Sequence, residues 1–516
     1  MPIKLSGMVS NMDTDSIVKE LMSAQSMKKT KVENKKTELN WTQEIWKSLN
    51  TKLLSFYKGT LSKARTQGSY NTKKASSSDE TIVSATASNS AAKGAHSLEV
   101  SQLASAQFLT SGTITRTDSG TVASTTKLKD LGFDGGEVIT ITAAKKASDK
   151  ENTNVQTITV TDTTTISDFV EAADKAGLNA TFDATQKRLF ISSEDSGVKQ
   201  KFTIETTSGT QSLTKLGLGE ITGDTDVDTT TPGNTGGYTL VTAKNAKFTL
   251  DGAAMEESSN NFTVNFLTLD LKAVTTAGNP VKISVQNDTD STYKMIKEFV
   301  KEFNSLVKEM NDMYYADAAK GYQPLTDEQK KDMTDDEVTK WEKKIKDALL
   351  RRDDTVGNLV TTMKASLMQQ ISVNGTKVSL ATFGIKTSTD WTEKGLLHIY
   401  GDEDDDTYST EDNDLKDMLE SDPELVMKGM ASLAQSLYTT MSDKMAKTSL
   451  SSALTFYNDK EMKTEDKDYK TQIKDWNDKL SDLEDRYYKQ FTQMEVALSK
   501  LQSQSNSLSS LMGTSS

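Results

Sequence analysis

The chain has 516 residues, with 61 Lys and Arg against 74 Asp and Glu and a formal charge of −13. It has no cysteine and two histidines, His96 and His398, so disulfides, thiol nucleophiles and cysteine metal sites are excluded and little is left for histidine chemistry. The acidic balance argues against a broad nucleic-acid surface. No run of about 18 apolar residues marks a membrane span, and Met1–Leu5 does not open a classical signal peptide. At about 150 residues per domain the length suggests three or four domains. With 35% hydrophobic residues, the core is expected to be spread over small or elongated units.

Taken in chain order, Asp13 or Asp15 is placed to cap a helix carrying Ile17, Val18, Leu21 and Met22 in its first turns. Val32, Leu39, Trp46 and Leu53 fall seven apart, and Lys35, Thr42, Leu49 and Phe56 sit three residues after them. This spacing predicts a heptad seam with two polar positions in its first half. The middle of the chain is rich in Thr, Ser, Gly and Asn and reads as β structure. Val155–Val160 is a strand. Thr165 caps a short helix bearing Ile166, Phe169, Val170 and Ala173, closed at Gly177. Ala180–Phe182 and Arg188–Ser192 follow as strands. Phe248 and Leu250 lead into Asp251-Gly252, a favoured hairpin turn. The return strand is expected to carry Phe262, Val264 and Phe266, then Leu267, Leu269 and Leu271, with a bulge where the apolar phase slips. Val281, Ile283 and Val285 form one more strand.

From about Thr292 the helical period returns, with Met295, Ile296, Phe299, Val300, Phe303, Leu306 and Val307 in one wide stripe. Thr326 with Gln329 and Thr334 with Glu337 spell two capping boxes. Leu349, Leu350, Val356, Leu359, Val360 and Met363 continue as helix. Ile371–Val373 and Lys377–Leu380 read as a hairpin about Asn374-Gly375. At the C-terminal end Ile473, Trp476, Leu480, Leu483 and Tyr487 alternate by three and four. Phe491, Met494, Leu498, Leu501, Leu508 and Leu511 continue the stripe after a stutter. Neither end can bury its stripe alone. The candidate contacts with a neighbouring subunit or a filament are therefore the seam positions Ile17, Leu21, Val32, Leu39, Trp46, Leu49 and Leu53 at one end. At the other they are Ile473, Trp476, Leu480, Leu483, Tyr487, Phe491, Met494, Leu498, Leu501 and Leu508. An intramolecular coiled coil in a monomer has the same pattern.

No catalytic set emerges. His96 and His398 both lie in strand-like sequence and read as structural. Gly217, Gly219 and Gly223 miss the phosphate-loop spacing. Asp402–Asp406 lacks the spaced ligands and central glycine of a calcium loop, and Asp224–Thr231 reads as an exposed loop. No cofactor or metal is expected. The fold class is α+β and multidomain, with terminal coiled-coil helices and a helical body split by a nested β-rich insertion.

Five regions, in order along nearly the whole chain, carry a family resemblance. They are Gly7-Met8-Val9-Ser10-Asn11-Met12-Asp13 with Ser16-Ile17-Val18; Val100–Gln107; the β-α-β-β pattern of Thr165–Ser193; Phe248–Gly252 through Ser258-Ser259-Asn260, with Phe299–Asn304; and Arg486–Phe491 with Met494-Glu495, Leu498 and Leu501. Together they resemble the flagellar filament capping family, also called hook-associated protein 2. Met8, Asn11 and Met12 stand where that family commonly has Leu, Gly and Leu.

The resemblance implies a non-enzymatic protein that forms a homo-oligomeric ring at the distal end of the bacterial flagellar filament, promotes flagellin insertion and prevents subunit loss. It implies flagellin, the hook-filament junction protein and an export chaperone on the C-terminal helix as partners. It also implies secretion through the flagellar export apparatus to the filament tip. Some family members adhere to mucus, which does not transfer through variable insertion loops. The expected division is 1–45 as an N-terminal coiled-coil helix pairing with 480–516, and 46–75 with 290–479 as the helical body. Residues 76–110 with 240–289 form a β-rich domain, and 111–239 an outer β-rich domain. Two rivals share parts of this pattern: flagellin or a junction protein, and a surface adhesin with a coiled-coil stalk.

Overall fold

The computed structural model describes residues 12–144, 153–207, 210–219, 221, 227–228 and 237–513. The heptapeptide opening at Gly7, apart from Met12 and Asp13, and most of the Thr-rich segment 224–231 lie outside these residues, as does Gly223. The chain divides into two compact units, Met1–Tyr70 with Thr289–Ser516, and Asn71–Asp288. The second is inserted into the first, and the whole is α+β.

The first unit is mainly helical. Asp13 caps its first helix, Thr14–Lys58, by accepting the Ser16 amide. From residue 46 onward this helix turns Trp46, Leu49, Leu53 and Phe56 into the core. There they meet Ile296, Phe299, Phe303 and Val307 of helix Thr289–Tyr314, and Val356, Val360 and Met363 of helix Asp354–Met368. These residues recur at intervals of three and four, which places them on one face of each helix. Each such side chain, fully buried, is worth about 1.5–3 kcal/mol. A further helix, Pro423–Lys444, starts with Pro at its first turn under an Asp422 cap. It passes Phe383 so closely that a Cβ on Gly429 would lie 2.4 Å from the ring. The capping boxes at Thr326 and Thr334 both form. So does the hairpin at Asn374-Gly375, with both residues at positive φ.

The second unit holds two β-rich cores. In one, an antiparallel sheet runs Lys73–Ser77, Val281–Asn287, Gly94–Gln102, Ala246–Leu250, Ala253–Glu257 in spatial order. A three-stranded sheet, Asn261–Val264, Leu267–Leu271 and Val83–Ala87, shares its apolar cluster of Leu98, Val100, Phe248, Leu269 and Ile283. In the other core, helix Ile166–Lys175, with a full Thr165–Asp168 capping box, leads into the hairpin Leu178–Asp183 and Arg188–Ser193. Ile166, Phe169 and Ala173 of this helix pack with Leu109, Leu189 and Ile191.

Two expectations for this region are corrected. The strand returning from Asp251-Gly252 is Ala253–Glu257; Phe262 and Val264 belong to a strand of the other sheet. The slip of apolar phase at Phe266 is not a bulge. Asn265 and Phe266 sit at φ 47° and 65° between strands paired Val264 to Leu267, which is a two-residue hairpin turn. A bulky side chain in this left-handed region costs about 1–2 kcal/mol, and Asn-Gly is the preferred pair at such a turn. Phe266→Gly, at an exposed position, is expected to raise the stability of the second unit by about 1 kcal/mol, read as a higher urea midpoint at unchanged slope.

Candidate assembly surface

The two ends of the chain come together as an antiparallel helix pair. The C-terminal helix runs Asp459–Met512, about 80 Å at 1.5 Å per residue. The Trp46 ring stacks on Tyr457 at 5.4 Å, and the Gln43 side-chain amide donates to the Met462 carbonyl at 3.2 Å. Lys36 lies 3.9 Å from Asp466, and the Lys28 ammonium sits 5.9 Å from the Trp476 ring. Asn50 clasps the entry to this helix from both sides. Its Nδ2 donates to the Leu454 carbonyl and its Oδ1 accepts the Phe456 amide. Asp459 closes the same corner by accepting the amide and hydroxyl of Ser452. Burial pushes the Asp459 carboxyl up, but these hydrogen bonds outweigh it and hold the group below its ordinary value.

The pairing is shifted from the one expected between 1–45 and 480–516. It begins before residue 480 on the C-terminal helix, because the polar row Lys36, Gln43 and Asn50 faces that helix and its entry while Lys35 points to solvent. Among the predicted contact residues, Trp46, Leu49 and Leu53 are built into the helical body rather than left for a neighbour. The reason is that residues 46–56 lie against the helix Thr289–Tyr314, as the Phe56–Phe299 contact shows. Leu39 is buried, Ile17 and Val32 are half-buried, and Leu21 is exposed. On the C-terminal helix Ile473, Trp476, Leu480, Leu483, Tyr487, Phe491, Met494 and Leu498 are all half-buried. Leu501 and Leu508 are 61% and 62% exposed. A single partner helix covers only one side of such a stripe, so its apolar surface is half-finished within one chain.

Both histidines are paired with carboxylates. His96 Nδ1 lies 2.7 Å from Asp251 at the hairpin turn. His398 is held between Asp405 at 2.6 Å and Glu393 at 2.9 Å. Burial raises the Asp405 carboxyl, yet hydrogen bonds from His398 and the amides of Thr407 and Tyr408 bring it below its usual range. Asp402 and Asp404 of the acidic run both bind Lys297 at 2.6 Å. Among the described residues no group of three or more His, Cys, Asp or Glu is placed to hold a metal ion, and no helix is long and apolar enough to cross a membrane. One exposed residue the periodicity does not single out is Trp391, which lies outside every helical stripe.

Two family profiles match the chain: "Flagellar hook-associated protein 2 N-terminus" over residues 10–107 and "Flagellar hook-associated protein 2 C-terminus" over residues 243–503. The flagellar hook-associated protein 2 of Halalkalibacterium halodurans is 24% identical over 459 residues, covering 85% of this chain and 81% of that one. The A-type flagellar hook-associated protein 2 of Pseudomonas aeruginosa is 29% identical over 387 residues, covering 73% and 69%. The solved D1–D2–D3 domains of the Escherichia coli flagellar cap protein align at a TM-score of 0.49 and 21% identity, over 77% of this chain and 95% of that one.

Proposed function

The chain belongs to the flagellar hook-associated protein 2 family, whose members cap the flagellar filament, and from that premise we propose how this one works. It is a structural cap at the filament tip. Copies of the chain close into a ring through the helical unit. The half-covered helix pair inserts its open apolar side against neighbouring subunits and the filament end. The observation that carries this reading is the C-terminal stripe, half-buried from Ile473 to Leu498 and open at Leu501 and Leu508. A ring of this kind repeats one heterologous interface until it closes. Helices left without a full partner are marginal in water, so the pair gains its order on assembly at an entropic cost that the new contacts offset. The same exposed helix would be the natural hold for an export chaperone before secretion through the flagellar apparatus. Flagellin and the hook-filament junction protein are the further partners.

The test is a motility rescue in a cap-deficient strain with Leu501→Asp/Leu508→Asp. Both positions are solvent-exposed, so thermal unfolding should shift by less than about 0.5 kcal/mol. Swimming and filament length should fall to the level of the cap-deficient parent. Full rescue by the double variant would remove the assembly role from this end of the helix.

A further inference from the structure

The sequence contains one Asn-Gly pair, Asn374-Gly375. It forms the tip of the hairpin Ile371–Val373 and Thr376–Val378, which is a two-stranded sheet on its own. Both tip residues are at positive φ, 51° and 85°, and Asn374 to Lys377 are all exposed. Neither reactive group at the tip is engaged. Among the described residues the Asn374 side-chain amide has no hydrogen-bond partner and the Gly375 amide donates to no carbonyl. A Cβ built on Gly375 would meet nothing within 4 Å, so no neighbouring atom shields that nitrogen.

Comparable side chains elsewhere are tied down. In the similar turn Asp251-Gly252 the carboxylate faces His96 and accepts the Ser97 amide. Asn304, which precedes Ser305 within a helix, donates from Nδ2 to the Leu397 carbonyl and accepts the Leu397 amide on Oδ1. Asn260 clasps the backbone of Ala104 in the same two-handed way.

An asparagine followed by glycine carries its own nucleophile. The Gly375 nitrogen gives up its proton to hydroxide and bonds to the Asn374 side-chain carbon, Cγ. The Cγ–Nδ2 bond breaks, and Nδ2 leaves as ammonia with a proton from water. The product is a five-membered succinimide. Water then opens it at Cγ, giving aspartate, or at the main-chain carbonyl, giving isoaspartate with one extra methylene in the backbone. Attack within one chain avoids the cost of bringing two molecules together, and glycine puts no side chain in the way. Ring closure requires Asn374 to leave its turn conformation. A two-stranded ribbon is marginal by itself, so its exposed tip opens locally far more readily than the core.

We propose that Asn374 is a site of spontaneous deamidation, and that its isoaspartyl product frees this hairpin from the helical body. The hairpin is held by Val373 and Val378, both buried in the helical core, with Val378 beside Gly429 of the helix Pro423–Lys444. Their register is set by the two-residue turn. An added backbone atom changes the loop length, and a slipped register turns a buried valine toward solvent. The helical unit thus carries a chemical clock that depends on neither ring nor filament.

The full chain is incubated at physiological temperature over a series from neutral to mildly alkaline pH, then digested and read by mass spectrometry with electron-transfer fragmentation, which tells isoaspartate from aspartate. Conversion at Asn374 is expected to run about tenfold faster than at any other asparagine, to rise in proportion to hydroxide, and to yield more isoaspartate than aspartate. Urea unfolding of the aged chain should show the transition of the helical unit at a lower midpoint, with that of the inserted unit in place. Asn374→Gly keeps a favoured turn pair, so it should fold as wild type, form no product and hold its midpoint on ageing. Conversion at Asn374 no faster than elsewhere in the chain overturns the site. Full conversion to isoaspartate with an unchanged midpoint overturns the release of the hairpin.

Discussion

Truncation after Lys479 is expected to leave both units folded and to abolish filament growth completely. The argument is one of where apolar area is buried. Tyr457 is the last buried apolar side chain among the described residues, so the deletion removes half-buried contacts with the first helix and leaves the cores intact. Loss of such contacts should move the main urea transition by no more than about 1–2 kcal/mol. The deleted segment nonetheless contains every half-buried or open stripe residue from Leu480 to Leu508. Rescue of a cap-deficient strain, scored by filament length in electron micrographs, should therefore fall to background while circular dichroism retains the β signal and most of the helix. A truncated chain that restores filaments would show that the far half of this helix is dispensable for capping.

The second large effect is expected at Trp46. This side chain is 1% exposed and stacks on Tyr457 with the rings 13° from parallel. It joins the first helix, the helical body and the start of the C-terminal helix at one point. Trp46→Ala removes that ring and leaves a cavity, which for buried aromatics costs about 3–5 kcal/mol. Measured by urea unfolding, the transition of the helical unit should move to a lower midpoint while that of the inserted unit stays in place. Trp46→Phe should recover roughly half of the loss, because ring stacking and most of the buried area survive. A change below about 1 kcal/mol for the alanine variant would mean that the site collapses around the gap.

Turn and cap chemistry made much of this fold readable from the chain alone. Asp251-Gly252, Asn374-Gly375, the cap at Thr165 and the boxes at Thr326 and Thr334 act through local backbone needs that no tertiary packing has to supply. An aromatic at positive φ carries no turn signature, so the phase slip at Phe266 does not by itself separate a hairpin from a bulge. The helix Pro423–Lys444 carries buried residues around much of its circumference, from Val426 and Met430 to Leu433, Ala434 and Leu437. With no clean polar face, it leaves no amphipathic period in the sequence.

Of the candidate assembly surface, the half-covered stripe from Ile473 to Leu498 is the part that hydropathy marks. What periodicity could not give was the row Lys36, Gln43 and Asn50, whose contacts are polar and leave no mark in hydropathy. Nor could it divide Trp46, Leu49 and Leu53 from the outer seam, since an interior position and a docking position share the same spacing. Trp391 stands alone in its segment, and an isolated tryptophan is indistinguishable in sequence from one that fills a core.

The clasp at Asn50 has a mechanical consequence. Between Lys28 and Gln43 the two long helices are fastened by discrete polar and cation–ring links spaced along their length, and Asn50 holds the segment that leads into the second, inward of the Trp46–Tyr457 stack. Tension on either tail therefore loads one fastening at a time, and separation proceeds stepwise under a gentle pull until it reaches the Trp46–Tyr457 stack, where resistance rises sharply. A strand threaded end-first through a narrow conduit would unzip easily at its loose tip and meet its first real obstacle only at that rivet.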